Sequence, residues 1–295
     1  MFKTIILKDI SPGNAQNYLQ HAIAPRPICF ASTRDLAGNV NLSPFSFFNL
    51  FSTNPAIIVF SPSRRGRDNS TKHTLQNILE VPEVVVNMVS YAMVQQASLA
   101  SCEFPKGIDE FTKTGFTKEP SLLVTPPRVK ESPVQLECKV LEVKPLGTEG
   151  GAGNLVIAEV LLMHIDEYIL NENGNIDQQK LDLVARLGGN WYTRANASTI
   201  FEVEKPNTEI GIGVDALPPN IRNSRVLKGN NLGQLANIQS VPFIDPAFED
   251  EKLKNIFQYY ATDPAEMEKE LHTYARELLD AGKVREAWQV LLTLD

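Results

Sequence analysis

PVQLECKVLEVKPLGTEGGAGNLVIAEVLLMHIDEYIL, residues 133–170, decides the architecture. Its two arms are long and rich in Val, Leu and Ile, residues that suit a pleated, half-buried surface. The glycine-rich GTEGGAG between them predicts a hairpin.

Working outward, PICFASTR (27–34) predicts a strand, LAGN a turn, and VNLSPFSFF (40–48) the antiparallel return. PAIIVFSPS (55–63) is a near-continuous apolar run and predicts a buried strand, as does EVVVNMVS (83–90). Helices are predicted at three places: at 11–23, with Ser11 as N-cap and Pro12 at the first position; at 70–80, with apolar spacing at Leu75, Ile78 and Leu79; and at 92–102. Strands dominate residues 28–170, so the chain reads as mainly β, an antiparallel sheet closed into a barrel with peripheral helices.

Past residue 200 the character changes. Residues 206–242 are rich in Gly, Asn and Pro and read as an irregular arm, whereas 263–295 read as two helices, capped by Asp263, begun by Pro264 and split at Gly282. The expected division is a barrel domain over 1–205 and a helical C-terminal extension over 206–295. A fixed 20- to 50-residue repeat is absent from the sequence, which removes solenoids and propellers.

The 295 residues are 43% hydrophobic and 21% charged, a composition that excludes disorder and coiled coil. A net charge of −7 argues against nucleic-acid partners, so any anion site must be local. Cys29, Cys102 and Cys138 are widely separated and suit a reducing compartment. With a first apolar run too short for a signal segment, and no stretch near the ~20 apolar residues of a membrane span, the expected location is the cytoplasm.

Three places could carry chemistry. Arg64, Arg65, Arg67 and Lys72 fall within nine positions, with Ser70, Thr71 and Thr74 at a helix start. Free N–H groups, a positive dipole end and guanidinium groups together fit a phosphomonoester; the alternative is a solvated loop with an ordinary cap. In VNLSPFSFFNLFS (40–52), a buried sheet edge explains the aromatic rings but not Asn41, Ser43 and Ser46 beside them, so the stretch reads as the edge of a site for a planar heteroaromatic ring. In VARLGGNWY (184–192), Arg186 precedes a glycine pair that could admit a ligand closely, or that could form a turn anchored in the core by Trp191 and Tyr192.

Nucleophile elbows, P-loops, HExxH and a dinucleotide fingerprint are all missing from the sequence. His21, His73, His164 and His272 lack metal-ligand spacing. No catalytic side chain and no metal site is assigned, which points to chemistry borrowed from a cofactor.

APRPICFAST (24–33), NLSPFSFFNLFSTNPAIIVFSPSRR (41–65), TKHTLQNI (71–78), PRVKESPVQLECKV (127–140) and VARLGGNWY resemble, in order and spacing, the flavin reductase-like family with an FMN-binding split barrel, over roughly residues 15–205. The resemblance implies a homodimer with FMN, rather than FAD, near the subunit interface. It places Asn41, Ser43, Phe45 and Ser46 along the ring and ribityl chain, Ser61, Arg65, Lys72 and Thr74 at the phosphate, and Arg186 with Tyr192 across the pocket. Where the family commonly has Lys-Asp-Thr, this chain has Lys72-His73-Thr74. The implied activity is an oxidoreductase of the NAD(P)H-dependent flavin reductase type, working between a small-molecule electron donor and acceptor. The alternatives are a flavoredoxin-like electron carrier without its own nicotinamide reaction and a barrel for a non-flavin ligand.

Overall fold

Alternation along the long hairpin sets the core of the sheet in the computed structural model, which describes residues 1–203 and 210–294. On β8 (Val134–Pro145) the inward positions Val134, Leu136, Cys138 and Val140 are buried, and on β9 (Asn154–Ile165) Val156 and Ala158 meet them. The two strands pair antiparallel from Val134↔Ile165 to Pro145↔Asn154, with register shifts at Glu137/Cys138 and Val140/Glu142. The hairpin expected over 133–170 is therefore present.

Before that hairpin come α1 (Pro12–Ala22), β1 (Cys29–Arg34), β2 (Val40–Phe45), β3 (Phe48–Thr53), β4 (Ala56–Phe60), α2 (His73–Glu80) and β5 (Glu83–Met88). Then follow α3 (Val94–Leu99), α4 (Glu110–Thr114) and the short pair β6 (Lys118–Glu119) and β7 (Arg128–Val129). After β9 the unit ends with α5 (Gln178–Leu181), β10 (Val184–Arg186) and β11 (Tyr192–Arg194).

Seven strands form one sheet in the order β2-β1-β5-β8-β9-β4-β3. Strands β2 and β3 lie at opposite ends of that order, yet only Ser46 and Phe47 separate them in sequence. In a flat sheet the ends would lie about 29 Å apart at ~4.8 Å per strand, whereas the link from Phe45 to Phe48 reaches at most about 11 Å. The sheet must curl until its edges approach. Among the described residues no ladder joins β2 to β3, so the barrel is split, as the family resemblance implied, and not closed as the strand pattern by itself suggested.

Strand β1 is buried on both faces from Cys29 to Thr33, with the polar Ser32 and Thr33 included. Cys29 and Ala31 point into the barrel core, while Phe30 packs outward with Leu42, Met93, Phe111 and Phe116. Two local expectations are modified. VNLSPFSFF ends as a strand at Phe45, and an additional edge strand, β3, starts at Phe48. Leu75 and Ile78 of α2 are buried, but Leu79 points to solvent. Burial raises the thiol pKa values of Cys29 and Cys138, the latter to about 12, whereas Cys102 is exposed.

The chain divides into two compact units, Met1–Phe201 and Glu202–Asp295, and the boundary expected at 205/206 lies outside the described residues. The second unit has its own core around Leu235, Leu271, Leu279, Trp288 and Leu291. Within the stretch read as an irregular arm, α6 (Pro219–Arg222) and α7 (Gly229–Ala236) are helical, and α8 (Glu251–Tyr259) follows. Helices α9 (Pro264–Asp280) and α10 (Val284–Leu291) flank Gly282 at φ +74°, and Asp263 caps α9 by accepting the Glu266 N–H at 3.1 Å.

Candidate functional site

Strand β2, helix α3 and the β10–β11 ribbon converge on a cavity of about 570 Å³. Phe45 and Ser46 reach it because β2 ends there, at the split of the sheet. Arg186 and Tyr192 are direct partners across the ribbon, and the guanidinium lies 4.6 Å from the ring centroid. Its Nη2 donates to the Gly189 carbonyl at 2.6 Å. Also lining the cavity, Arg194 stacks 3.8 Å from the Tyr91 centroid and donates to both Asp182 oxygens, at 2.6 and 2.8 Å. Arg194 is thereby matched by a carboxylate. Arg186 has no acidic partner among the described residues and leaves the wall net positive.

Buried Arg26 anchors the ribbon. Its guanidinium donates to the carbonyls of Gln20 (2.6 Å), Ile23 (2.5 Å) and Leu187 (2.9 Å), and its backbone exchanges two hydrogen bonds with Arg186. Burial, then the nearby Arg186 charge, lowers its pKa. The glycine pair meets protein at this point, because a Cβ at Gly188 would sit 2.3 Å from the His21 ring. Trp191 is 73% exposed and Tyr192 36% exposed, so neither is a core anchor.

None of the residues lining this cavity belongs to the basic loop, which is tied to the segment after helix α3 through Glu103. Ser101 lines the cavity, and Glu103, within ~7 Å of chain, pairs with both Arg65 (3.1 Å) and Arg67. Arg65 Nη1 also donates to Ser70 Oγ at 2.9 Å and Thr71 O at 2.8 Å. Arg64 is committed to Asn69, through Nε to Oδ1 (2.6 Å) and Nη2 to the carbonyl (2.7 Å). Lys72 is half-buried and makes no ion pair among the described residues. Burial first, then Arg65 and Arg67 against the opposing Glu103, lowers its pKa. The His73 imidazole is lowered too, by burial and by Arg65, Lys106 and Lys72. Lys72 is the N-cap of α2, and no side chain caps that helix. Uncompensated positive charge beside an uncapped helix start is an environment that favours an anion.

The ten residues singled out from the sequence fall into three groups. Phe45, Ser46, Arg186 and Tyr192 line the cavity. Arg65 and Lys72 form the basic cluster, and Ser61 lies buried beneath the β8–β9 turn. Asn41 Nδ2 donates to Thr74 Oγ1 at 2.8 Å in a buried pair, and Ser43 stands half-buried on β2 opposite Ala31. The sequence reading missed Tyr91, Arg194, Arg26 and Glu103. Arg194 had a signal, since it is two residues from Tyr192 on a strand and shares its face. Tyr91 and Glu103 had none, because their roles arise from contacts distant in sequence.

Among the described residues there is no cluster of three metal-ligating side chains, and no helix is long and apolar enough to cross a membrane. A model of the flavin reductase like domain matches residues 21–180. An uncharacterized protein of Aquifex aeolicus is 38% identical over 190 residues, covering 64% of this chain and 94% of its own. Nitrilotriacetate monooxygenase component B from Bacillus cereus superposes with a TM-score of 0.64 at 26% identity, over 69% of this chain and 99% of that one. A candidate flavin reductase with split barrel domain from Shewanella frigidimarina gives 0.58 at 25% identity, over 68% and 96%. From the match over residues 21–180, and from a split sheet shared with such structures, the chain belongs to the flavin reductase like family.

Proposed function

We propose that the protein is an FMN-binding oxidoreductase, with NAD(P)H or another small molecule as electron donor and a small-molecule acceptor. The observation that carries this reading is Lys72, half-buried and without an ion pair among the described residues, beside Arg65 at an uncapped helix start. A single basic cluster suits the terminal phosphomonoester of FMN better than the diphosphate of FAD.

In this reading Arg65, Lys72, Ser61, Thr74 and the α2 start hold the phosphate. Asn41, Ser43 and Ser46 supply polar groups to the ribityl chain and ring edge, and Phe45 supplies an apolar wall. FMN, when bound, supplies reversible hydride and electron transfer. Arg186 puts positive charge at the ring end of the cavity, which favours negative charge developing there, and Tyr192 holds that guanidinium in place. No side chain is required as a general base.

The test is an absorption spectrum after FMN addition and desalting, followed by anaerobic titration with NADH and NADPH. A retained band at about 450 nm that a nicotinamide bleaches supports the reductase. A band that neither nicotinamide bleaches assigns the flavoredoxin-like carrier role instead, and no retained band contradicts a tightly held flavin.

The reading includes a homodimer in the reducing cytoplasm. Edge strand β3 leaves Leu50 57% and Phe51 67% exposed, an apolar edge of the kind that soluble proteins cover. Sedimentation of the flavin-loaded protein at micromolar concentration is expected to give twice the chain mass; a monomer would sink the dimer.

A further inference from the structure

The turn between β8 and β9 grips the loop that carries Arg65. Arg64 N–H donates to Ala152 O at 2.8 Å, and Gly151 N–H donates to Arg64 O at 3.0 Å. Asn69 Nδ2 donates to Thr148 O at 2.9 Å, and Asn154 Nδ2 donates to Pro62 O at 2.9 Å. The loop is thus held at three separate points: Pro62, Arg64 and Asn69.

Close packing adds to these bonds. A Cβ on Gly150 would lie 3.1 Å from the Arg65 carbonyl and from Gly66 Cα, so only glycine lets the turn approach this backbone unhindered. A Cβ on Gly153 would lie 2.6 Å from Ser61 Oγ. Asn69, at φ +59°, joins the two layers, because its side-chain and main-chain oxygens take Arg64 while its amide reaches Thr148. The backbone on both sides of Arg65 and the hydroxyl of Ser61 are therefore set by residues that lie behind the loop.

We propose that the β8–β9 turn is a clasp whose residues Gly150 and Asn69's partner Thr148 position Arg65 and Ser61 for a phosphate without touching it. The proposal rests on the FMN reading. A flexible basic loop would have to be ordered by each ligand at the ligand's expense, whereas a clasped one presents its donors already in place. These are positioning residues, and their effect should be confined to the phosphate end of the flavin.

The experiment compares the full chain with Asn69→Gly and Gly150→Val. Asn69→Gly keeps the left-handed backbone at no steric cost and removes both the link to Thr148 and the acceptor of Arg64 Nε. Gly150→Val drives methyl groups against the Arg65 carbonyl. Amide hydrogen exchange across residues 62–72 is read on flavin-free protein, and dissociation constants for FMN and riboflavin are read by fluorescence quenching. The expected result is faster exchange in this segment and an FMN constant raised about tenfold, as for a displaced charge-assisted bond, with riboflavin changed less than about twofold. Unchanged exchange, or equal weakening of both flavins, overturns the clasp. If Gly150→Val does not fold, Asn69→Gly carries the same comparison. Equal FMN and riboflavin constants in the unmodified protein would overturn the phosphate assignment itself, and the clasp with it, before any variant is made.

Discussion

Replacing Lys72 by methionine is expected to raise the melting temperature of the flavin-free protein and to weaken FMN binding at the same time. Lys72 is half-buried beside Arg65 and Arg67, with Glu103 drawn to those two arginines instead, and burial followed by Arg65 holds its pKa below the ordinary lysine value. A pKa lowered on folding means that the native state holds its proton less tightly than the unfolded chain. The charged form therefore costs stability at every pH below the folded pKa, and that cost fades as pH rises through the folded value towards 10.5. Methionine keeps the length and removes the charge, for a gain of about 1 kcal/mol or roughly 2–4 °C.

A bound phosphate reverses the balance, since one charge-assisted bond contributes about 1.5–3 kcal/mol, or roughly 10- to 100-fold in affinity. FMN should then stabilise the native protein by several degrees and the Lys72→Met variant far less, because a ligand stabilises only as far as it binds. Thermal melts at pH 7 with and without FMN, alongside riboflavin as the phosphate-free control, measure both effects. A variant that melts lower without flavin and binds FMN as well as the native chain would remove Lys72 from the site.

The second large effect is expected at Glu137. This carboxylate is fully buried on β8, where Oε1 accepts the Leu122 N–H at 2.8 Å and contacts His164 Nε2 at 2.7 Å. Its Oε2 accepts the Leu123 N–H at 2.6 Å and, at 3.3 Å, that of Val124. On the neighbouring strand, Glu83 Oε2 accepts both the Thr125 N–H and its hydroxyl at 2.7 Å. Leu122 and Leu123 are 70% and 56% exposed, so carboxylates hold this loop more than apolar burial does.

Glu137→Leu strands several backbone donors and is expected to cost about 3–5 kcal/mol. Burial pushes the Glu137 pKa up, but the Leu122 N–H, His164 and the Leu123 N–H outweigh it and leave a net lowering. The carboxylate thus stabilises the fold fully above the ordinary glutamate value of 4.5, and the contribution is lost as pH falls through the lower folded value. Urea unfolding at neutral pH, repeated towards pH 3, should show the gap between the native chain and Glu137→Leu narrowing in acid. A gap under about 1 kcal/mol at neutral pH would show that the loop has other anchors.

Local signals carried much of the architecture. Alternating apolar residues and a glycine-rich turn specify the β8–β9 hairpin, and Ser11 and Asp263 do cap α1 and α9. Those features are legible because side-chain period and capping act within a few residues. Edge strand β3 was not legible, since its pattern of largely exposed residues in FNLFST does not alternate in a way that marks a strand. The curl of the sheet was not legible either, because it follows from β2 and β3 falling at opposite ends of an order set by long-range pairing.

The same division runs through the candidate site. Sequence by itself determined that arginines, hydroxyls and rings occur together near a helix start, and that nucleophile elbows, P-loops, HExxH and a dinucleotide fingerprint do not occur in it. Only the tertiary structure decided that Arg64 is committed to Asn69 while Lys72 makes no ion pair among the described residues, that Arg194 is neutralised by Asp182 while Arg186 finds no such carboxylate among them, and that Gly188 faces His21. Charge pairing and close packing depend on which segments the curled sheet brings within a few ångströms, and Coulomb attraction and steric repulsion have no regard for distance along the chain.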